Sequence, residues 1–147
     1  MENTLIVPAA EKTATACLLI VDDNAQIGAS LVSLFQRGGF IAGSVRNGRS
    51  AIEYLVKQRV DILITDIFMP NGDGLELLYE LYRRKITPRV VAMTGSADAG
   101  PIDLLHVASL MGAERTIRKP FEPGKLLELV REMTGGPDQC RAPIQAG

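Results

Sequence analysis

Four places in this sequence hold residue types that could handle a phosphoryl group: the paired acids Asp22 and Asp23, Asp66 at the end of an apolar run, Thr94 with Gly95 and Ser96, and Lys119 before Pro120. Neighbouring carboxylates repel one another and push a pKa upward unless a cation neutralises them, and hard oxygen donors at a partly hydrated site suit Mg²⁺. With such an ion in place, Asp66 can attack phosphorus as an aspartyl nucleophile, and Lys119 can offset charge building on the phosphoryl oxygens. Thr94 offers a hydroxyl to a phosphate oxygen. Gly95 leaves its backbone N–H open as an oxyanion-type donor, and Ser96 is small enough to keep the site clear. Taken alone, Asp66 reads first as the N-cap of a following helix. The chemistry requires a fold that brings all four places together.

The elements that would do so alternate along the chain. Cys17 to Val21 is a continuous apolar run ending in Asp22-Asp23-Asn24, where Asp23 or Asn24 can cap a helix whose apolar residues Ile27, Leu31, Leu34 and Phe35 recur at helical spacing up to Arg37-Gly38-Gly39. A strand over 40–45 and a helix over about 48–58, with Ala51, Ile52, Leu55 and Val56 inward, follow in the same style. Asp61 to Pro70 is an apolar run broken by Asn71-Gly72-Asp73-Gly74, the pattern of a strand buried on both faces with Asp66 at its carboxyl end. The spacing then predicts a helix over 74–84, a strand over 89–94, a helix over about 101–111, a strand over 115–119 and a last helix over about 122–133. Five β/α units of this kind imply an α/β doubly wound parallel sheet, for which the flavodoxin-like order 2-1-3-4-5 is expected. In that order every candidate site residue stands at the carboxyl edge, where open α/β sheets bind ligands. Residues 1–15 read as a flexible N-terminal arm, 16–134 as the folded domain, and 135–147 as a flexible tail.

Composition narrows the alternatives. The chain of 147 residues carries 16 basic and 17 acidic groups, so no electrostatic footprint for nucleic acid or membrane is expected. Cys17 and Cys140 have no metal-type spacing and read as reduced thiols of a cytoplasmic protein. The apolar run at Leu5-Ile6-Val7 ends at Pro8, too short for a secretory leader, and no window approaches the roughly eighteen apolar residues of a membrane span.

Four motifs now stand in order on the ends of the expected strands: Val21-Asp22-Asp23, Asp66-Ile67-Phe68-Met69-Pro70 with Asp73-Gly74, Met93-Thr94-Gly95, and Arg118-Lys119-Pro120-Phe121. Together they resemble the receiver domain of bacterial two-component response regulators over about Cys17 to Met133. The resemblance implies that Asp66 accepts a phosphoryl group from a sensor histidine kinase or histidine phosphotransfer protein. It places Mg²⁺ on Asp23, Asp66 and the Phe68 carbonyl, with Asp22 holding a metal-bound water. It further implies that Lys119 binds the phosphoryl group, that Thr94 reorients toward it, and that the Lys119–Pro120 bond is cis. A protein-binding surface made by the fourth helix, fifth strand and fifth helix would switch in response, toward a downstream target the sequence does not name. One position departs from the family pattern: Thr116 stands where receivers commonly carry an aromatic residue three positions before the lysine. Phe68 is bulkier than many residues at its site and is expected to shield an acyl phosphate from water.

The expected function is thus that of a single-domain response regulator, a phosphoacceptor rather than an enzyme with an external substrate, with weak homodimerisation left open. A phosphorylation-independent scaffold with the same fold is the main alternative. An aspartyl-phosphate hydrolase of the haloacid-dehalogenase type needs a second acid two residues after its nucleophile, where Phe68 stands, and a flavodoxin-like cofactor binder needs a phosphate-cradling first loop, where Asp22-Asp23 would repel phosphate. His106 reads as a surface or packing residue, and Arg83-Arg84-Lys85 as a solvated helix end. Asp61 and Asp73 read as strand-end and turn residues. Tyr79 and Tyr82, three apart, fit either a contact face or simple packing.

Overall fold

A computed structural model describes residues 15–69, 74–95 and 104–135. The expected arm, the tail with Cys140, the turn at Pro70 to Asp73, and Ser96 lie outside the described residues. Five parallel strands, β1 (Cys17–Val21), β2 (Ile41–Val45), β3 (Ile62–Asp66), β4 (Arg89–Gly95) and β5 (Arg115–Lys119), form one sheet in the order β2-β1-β3-β4-β5. Five helices alternate with them: α1 (Ala25–Arg37), α2 (Gly48–Lys57), α3 (Gly74–Arg84), α4 (Leu104–Leu110) and α5 (Pro123–Thr134). The architecture is the flavodoxin-like one expected from the alternation.

Period-two alternation along the central strands divides the core. Leu18 and Ile20 of β1, Ile62 and Ile64 of β3, and Val91 and Met93 of β4 face α1 and α5, where Leu31, Phe35, Leu126 and Val130 meet them. Leu19 and Val21, Leu63, and Val90 and Ala92 face α2, α3 and α4, against Ala51, Leu77, Leu78, Leu81 and Ala108. Both faces being covered, β1, β3 and β4 must be apolar almost without break; β2 and β5, at the two edges, are only half-buried.

The helix starts show why the acids after β1 are free for other work. Asn24 caps α1, its side chain accepting from the backbone N–H groups of Gln26 at 2.9 Å and Ile27 at 3.1 Å, and Asn47 caps α2 through Ser50 N–H at 2.8 Å. One inward assignment fails: Val56 is exposed, and Tyr54 packs against the core instead. At about 100° per residue Val56 lies roughly 140° round α2 from the fully buried Ala51, off the stripe that Tyr54 and Leu55 complete. Tyr79 and Tyr82 are exposed, so packing does not account for them, and His106 is on the surface. Arg83 and Arg84 both bond Glu80 within α3, as befits a solvated helix end. Asp61 opens β3, accepting from Cys17 N–H at 2.8 Å and pairing with Arg59 at 3.0 Å.

Candidate functional site at the carboxyl edge of the sheet

Parallel pairing puts the strand ends carrying chemistry at one edge: Val21 is level with Thr65, Asp66 with Met93, and Gly95 with Lys119. Parity then selects which side chains meet. Asp66 continues the row of Ile62 and Ile64, and Lys119 follows Ile117 by two, so both belong to the α1/α5 side of the sheet. Asp22 follows Ile20 by two on that same side. Lys119 Nζ accordingly donates to Asp22 Oδ2 at 2.8 Å and to Asp66 Oδ2 at 3.1 Å. Thr94 has the opposite parity, following Val90 and Ala92 on the side covered by α2, α3 and α4. It too is buried.

Each acid is held differently. Asp22 is 1% exposed, and its second oxygen accepts from Asn24 N–H at 2.9 Å, which ties the β1–α1 turn to the ion pair. Asp66 is 6% exposed, and its Oδ1 accepts from Phe68 N–H at 3.1 Å. Among the described residues it caps no helix, α3 being described from Gly74 onward. Asp23 is exposed, and one oxygen from each of the three acids lies within 4.8 Å of the others. Gly74 closes the loop behind Asp66: its N–H donates to Ile67 O at 2.9 Å, and a Cβ there would stand 2.3 Å from the Asp66 carbonyl oxygen. The Lys119–Pro120 bond is cis.

Burial pushes the Asp66 carboxyl above its ordinary pKa; Lys119 pulls it down, but neighbouring Asp22 raises it further. Burial also acts against the Lys119 ammonium, yet the two carboxylates it touches outweigh that and hold its pKa above the ordinary value. One ammonium serves two acids, so Lys119 gains more from the arrangement than Asp66 does. Three carboxylates facing one ammonium leave the cluster with a formal excess of two negative charges. All-oxygen donors, that negative excess and the exposed Asp23 fit a divalent hard cation such as Mg²⁺.

The residues singled out from sequence thus meet, with Asp22, Asp23, Asp66 and Lys119 in one cluster, Thr94 and Gly95 on the next strand end, and Phe68 anchoring Asp66 through its backbone. The Phe68 ring is 61% exposed at the lip. Thr116 lies half-buried on β5, level with Ala92 and so two residues short of Thr94. What sequence reasoning missed is a groove of about 660 Å³ beside Lys119, between α1 and the start of α5, lined by Ile27, Leu31, Gly95, Pro120 and Phe121 among others. The apolar Ile27 was legible only as a core residue of α1.

An open parallel sheet with a buried acid–lysine pair and an acidic cluster at its carboxyl edge defines the class of receiver-type α/β domains. The chain belongs to the response regulator receiver domain family, whose model matches residues 18–131. It is 32% identical over 118 residues to the chemotaxis protein CheY of Thermotoga maritima, covering 80% of this chain and 96% of that protein. It is 29% identical over 115 residues to the regulatory protein VanRc of Enterococcus gallinarum, covering 78% of this chain but only 48% of that one, so the chain spans about half the length of some relatives it matches. Among solved structures, chemotaxis protein CheY4 of Vibrio cholerae superposes with a TM-score of 0.72 at 25% identity, over 81% of this chain and 98% of that one.

Proposed function

We propose that this receiver domain is a phosphoacceptor switch: Asp66 takes a phosphoryl group from a phosphohistidine on a sensor kinase or phosphotransfer protein, and the new group is read by a protein target. The observation that carries this reading is the Lys119 ammonium bridging buried Asp22 and Asp66 within the three-acid cluster. An Asp66 carboxylate oxygen attacks phosphorus, an O–P bond forms, and the P–N bond of the donor breaks. Its electron pair leaves on the imidazole nitrogen, which takes up a proton from water. Asp23, Asp66 and the Phe68 carbonyl would hold Mg²⁺, with Asp22 acting through water. When bound, the ion screens the carboxylates from the phosphoryl group they must meet.

Lys119 has three N–H donors and spends two on the acids, so the third is available to a phosphoryl oxygen without dismantling the pair. The Thr94 hydroxyl and the Gly95 N–H stand on the neighbouring strand end to donate to the remaining oxygens. The groove along α1 and Phe121 opens directly beside Lys119, which suits a donor that is itself a protein surface. Phosphorylation adds about −1.5 to −2 charges. Driving a two-state equilibrium from 1:99 to 99:1 needs about 5.5 kcal/mol of differential stabilisation, which new contacts to Lys119, Thr94 and backbone amides can supply. With Thr116 in place of an aromatic ring, the change is carried by α4, β5 and α5 as elements, α4 following directly in the chain from the strand that bears Thr94.

The test is intact-mass measurement after incubation with Mg²⁺ and acetyl phosphate. One added phosphoryl group on the wild type and none on Asp66→Ala is the expected result. An unlabelled wild type, under conditions that label a control receiver, would turn the reading toward a phosphorylation-independent scaffold.

A further inference from the structure

Large apolar side chains exposed singly are normal on a soluble domain, but gathered in one place they mark an interaction surface. Six such residues are exposed among the described ones, and three of them, Tyr79, Tyr82 at 80% and Leu110 at 73%, rim a single groove of about 400 Å³ between α3 and α4. Its floor is Leu78 and Met111. Helices in a parallel α/β sheet run counter to the strands, so the end of α3 at Tyr82 and the end of α4 at Leu110 lie toward the amino edge of the sheet. The groove is therefore remote from Asp66.

The outer stripe of α3 says what covers it. Glu76, Tyr79 and Arg83 follow at i, i+3 and i+7, which puts them along one face with an acid at one end, a cation at the other and a ring between. Glu76 has no ion pair or hydrogen bond with another described residue. Arg83 is held by Glu80 through two of its nitrogens, with the third uncommitted to that pair. Such a stripe is complementary to its own reverse. Laid antiparallel across a two-fold axis near Tyr79, two copies bring each Glu76 to the other's Arg83 and each tyrosine rim to the other's groove, the isologous arrangement of a symmetric dimer.

We infer that the α3–α4 face is a self-association surface and that its occupant is a second copy of this chain. Stable interfaces bury about 800 Å² per partner, and three exposed side chains on one helix pair supply less, so the dimer is weak and assembles at high concentration. Because the face lies at the opposite edge from the acids, dimerisation leaves the phosphoacceptor accessible.

Sedimentation velocity of the full chain from low to high micromolar concentration tests this. The expected result is a reversible shift from monomer to dimer that Tyr82→Glu or Leu110→Glu abolishes, while both variants keep wild-type circular dichroism and wild-type labelling at Asp66 by acetyl phosphate. Glu76→Arg should raise the dissociation constant about tenfold or more, and adding Arg83→Glu to it should restore most of the loss. A monomer at every concentration overturns the inference. So does a dimer indifferent to both the rim variants and the charge exchange. A monomer that dimerises only after removal of residues 1–14 would assign the groove to that segment and likewise refute a second copy as the native occupant.

Discussion

Asp66, the proposed phosphoacceptor, is held at a cost to the fold. Its carboxyl is buried beside Asp22, and burial holds its pKa above the ordinary value despite Lys119. A raised carboxyl pKa in the folded state means that ionising Asp66 destabilises the domain, so the penalty builds as pH rises from the ordinary carboxylate pKa to the raised folded one, is fully present above it, and is gone below the ordinary value. Asp66→Asn, measured without Mg²⁺ by urea unfolding, should therefore be more stable than the wild type at pH 7 by on the order of 1 kcal/mol. The advantage should shrink as pH falls through the raised pKa toward the ordinary carboxylate value, where the folded wild-type carboxyl takes up its proton before the unfolded chain does. An advantage that stayed constant with pH would show that charge burial is not its source. Phe68 acts at the same scale: its backbone N–H positions Asp66 while its ring stands exposed at the lip. Phe68→Asn keeps the backbone donor and removes the ring, so acyl-phosphate lifetime should shorten with little change in labelling; an unchanged lifetime would mean the ring does not shield the site.

Gly74 shows how an element can limit a site it does not line. Its missing Cβ is the space in which the loop after β3 folds back, with Asp66 O at 2.3 Å and Ile67 Cα at 2.6 Å from where that atom would be. Both are backbone atoms, so the clash cannot be relieved by a rotamer change. Gly74→Ala should cost about 2 kcal/mol or more and lower labelling of Asp66 through displacement of its own backbone. Gly112, which ends the turn after α4 at φ +112°, presents the contrasting case: nothing lies within 4 Å, yet the conformation is strained for any L side chain. Gly112→Ala should cost about 1 kcal/mol by thermal melting and leave labelling unaffected, since only the backbone torsion is at stake.

At the scale of the whole molecule, the site closes only because three elements distant in sequence converge, Asp22 and Asp66 being 44 positions apart and Asp66 and Lys119 53 apart. A cation bound across that junction favours the folded state over the unfolded chain, in which the acids are dispersed. Mg²⁺ at 100 times its dissociation constant would add about 2.7 kcal/mol. Thermal melting should therefore show a Mg²⁺-dependent rise that Asp23→Asn largely removes, Asp23 being the exposed acid that makes no part of the Lys119 pair. A rise that survives in Asp23→Asn would place the ion elsewhere.

Much of this molecule was legible before any coordinates. Hydrophobic periodicity located all five strands and five helices, because a doubly covered parallel sheet demands unbroken apolar runs in its centre and amphipathic stripes around it. The caps, the glycine stops and the acids at strand ends marked the edge that carries the site. Residue type alone does not separate neighbours on a helix: Val56 looks as apolar as Leu55, but it lies roughly 140° round α2 from the buried Ala51 where Leu55 lies about 40° away, and so falls off the covered stripe. Nor could the sequence distinguish Asp23 from Asn24 as the cap of α1, which hydrogen-bond geometry decides. The groove beside Lys119 and the exposed tyrosine rim between α3 and α4 depend on how separate elements approach one another. Local sequence determined the elements and the residue types at their ends, since propensity and periodicity act over a few neighbouring positions. Tertiary structure decided which side chains touch, that Lys119 serves two acids at once, and which apolar surface remains uncovered, because those depend on strand order, parity and helix placement across the whole chain.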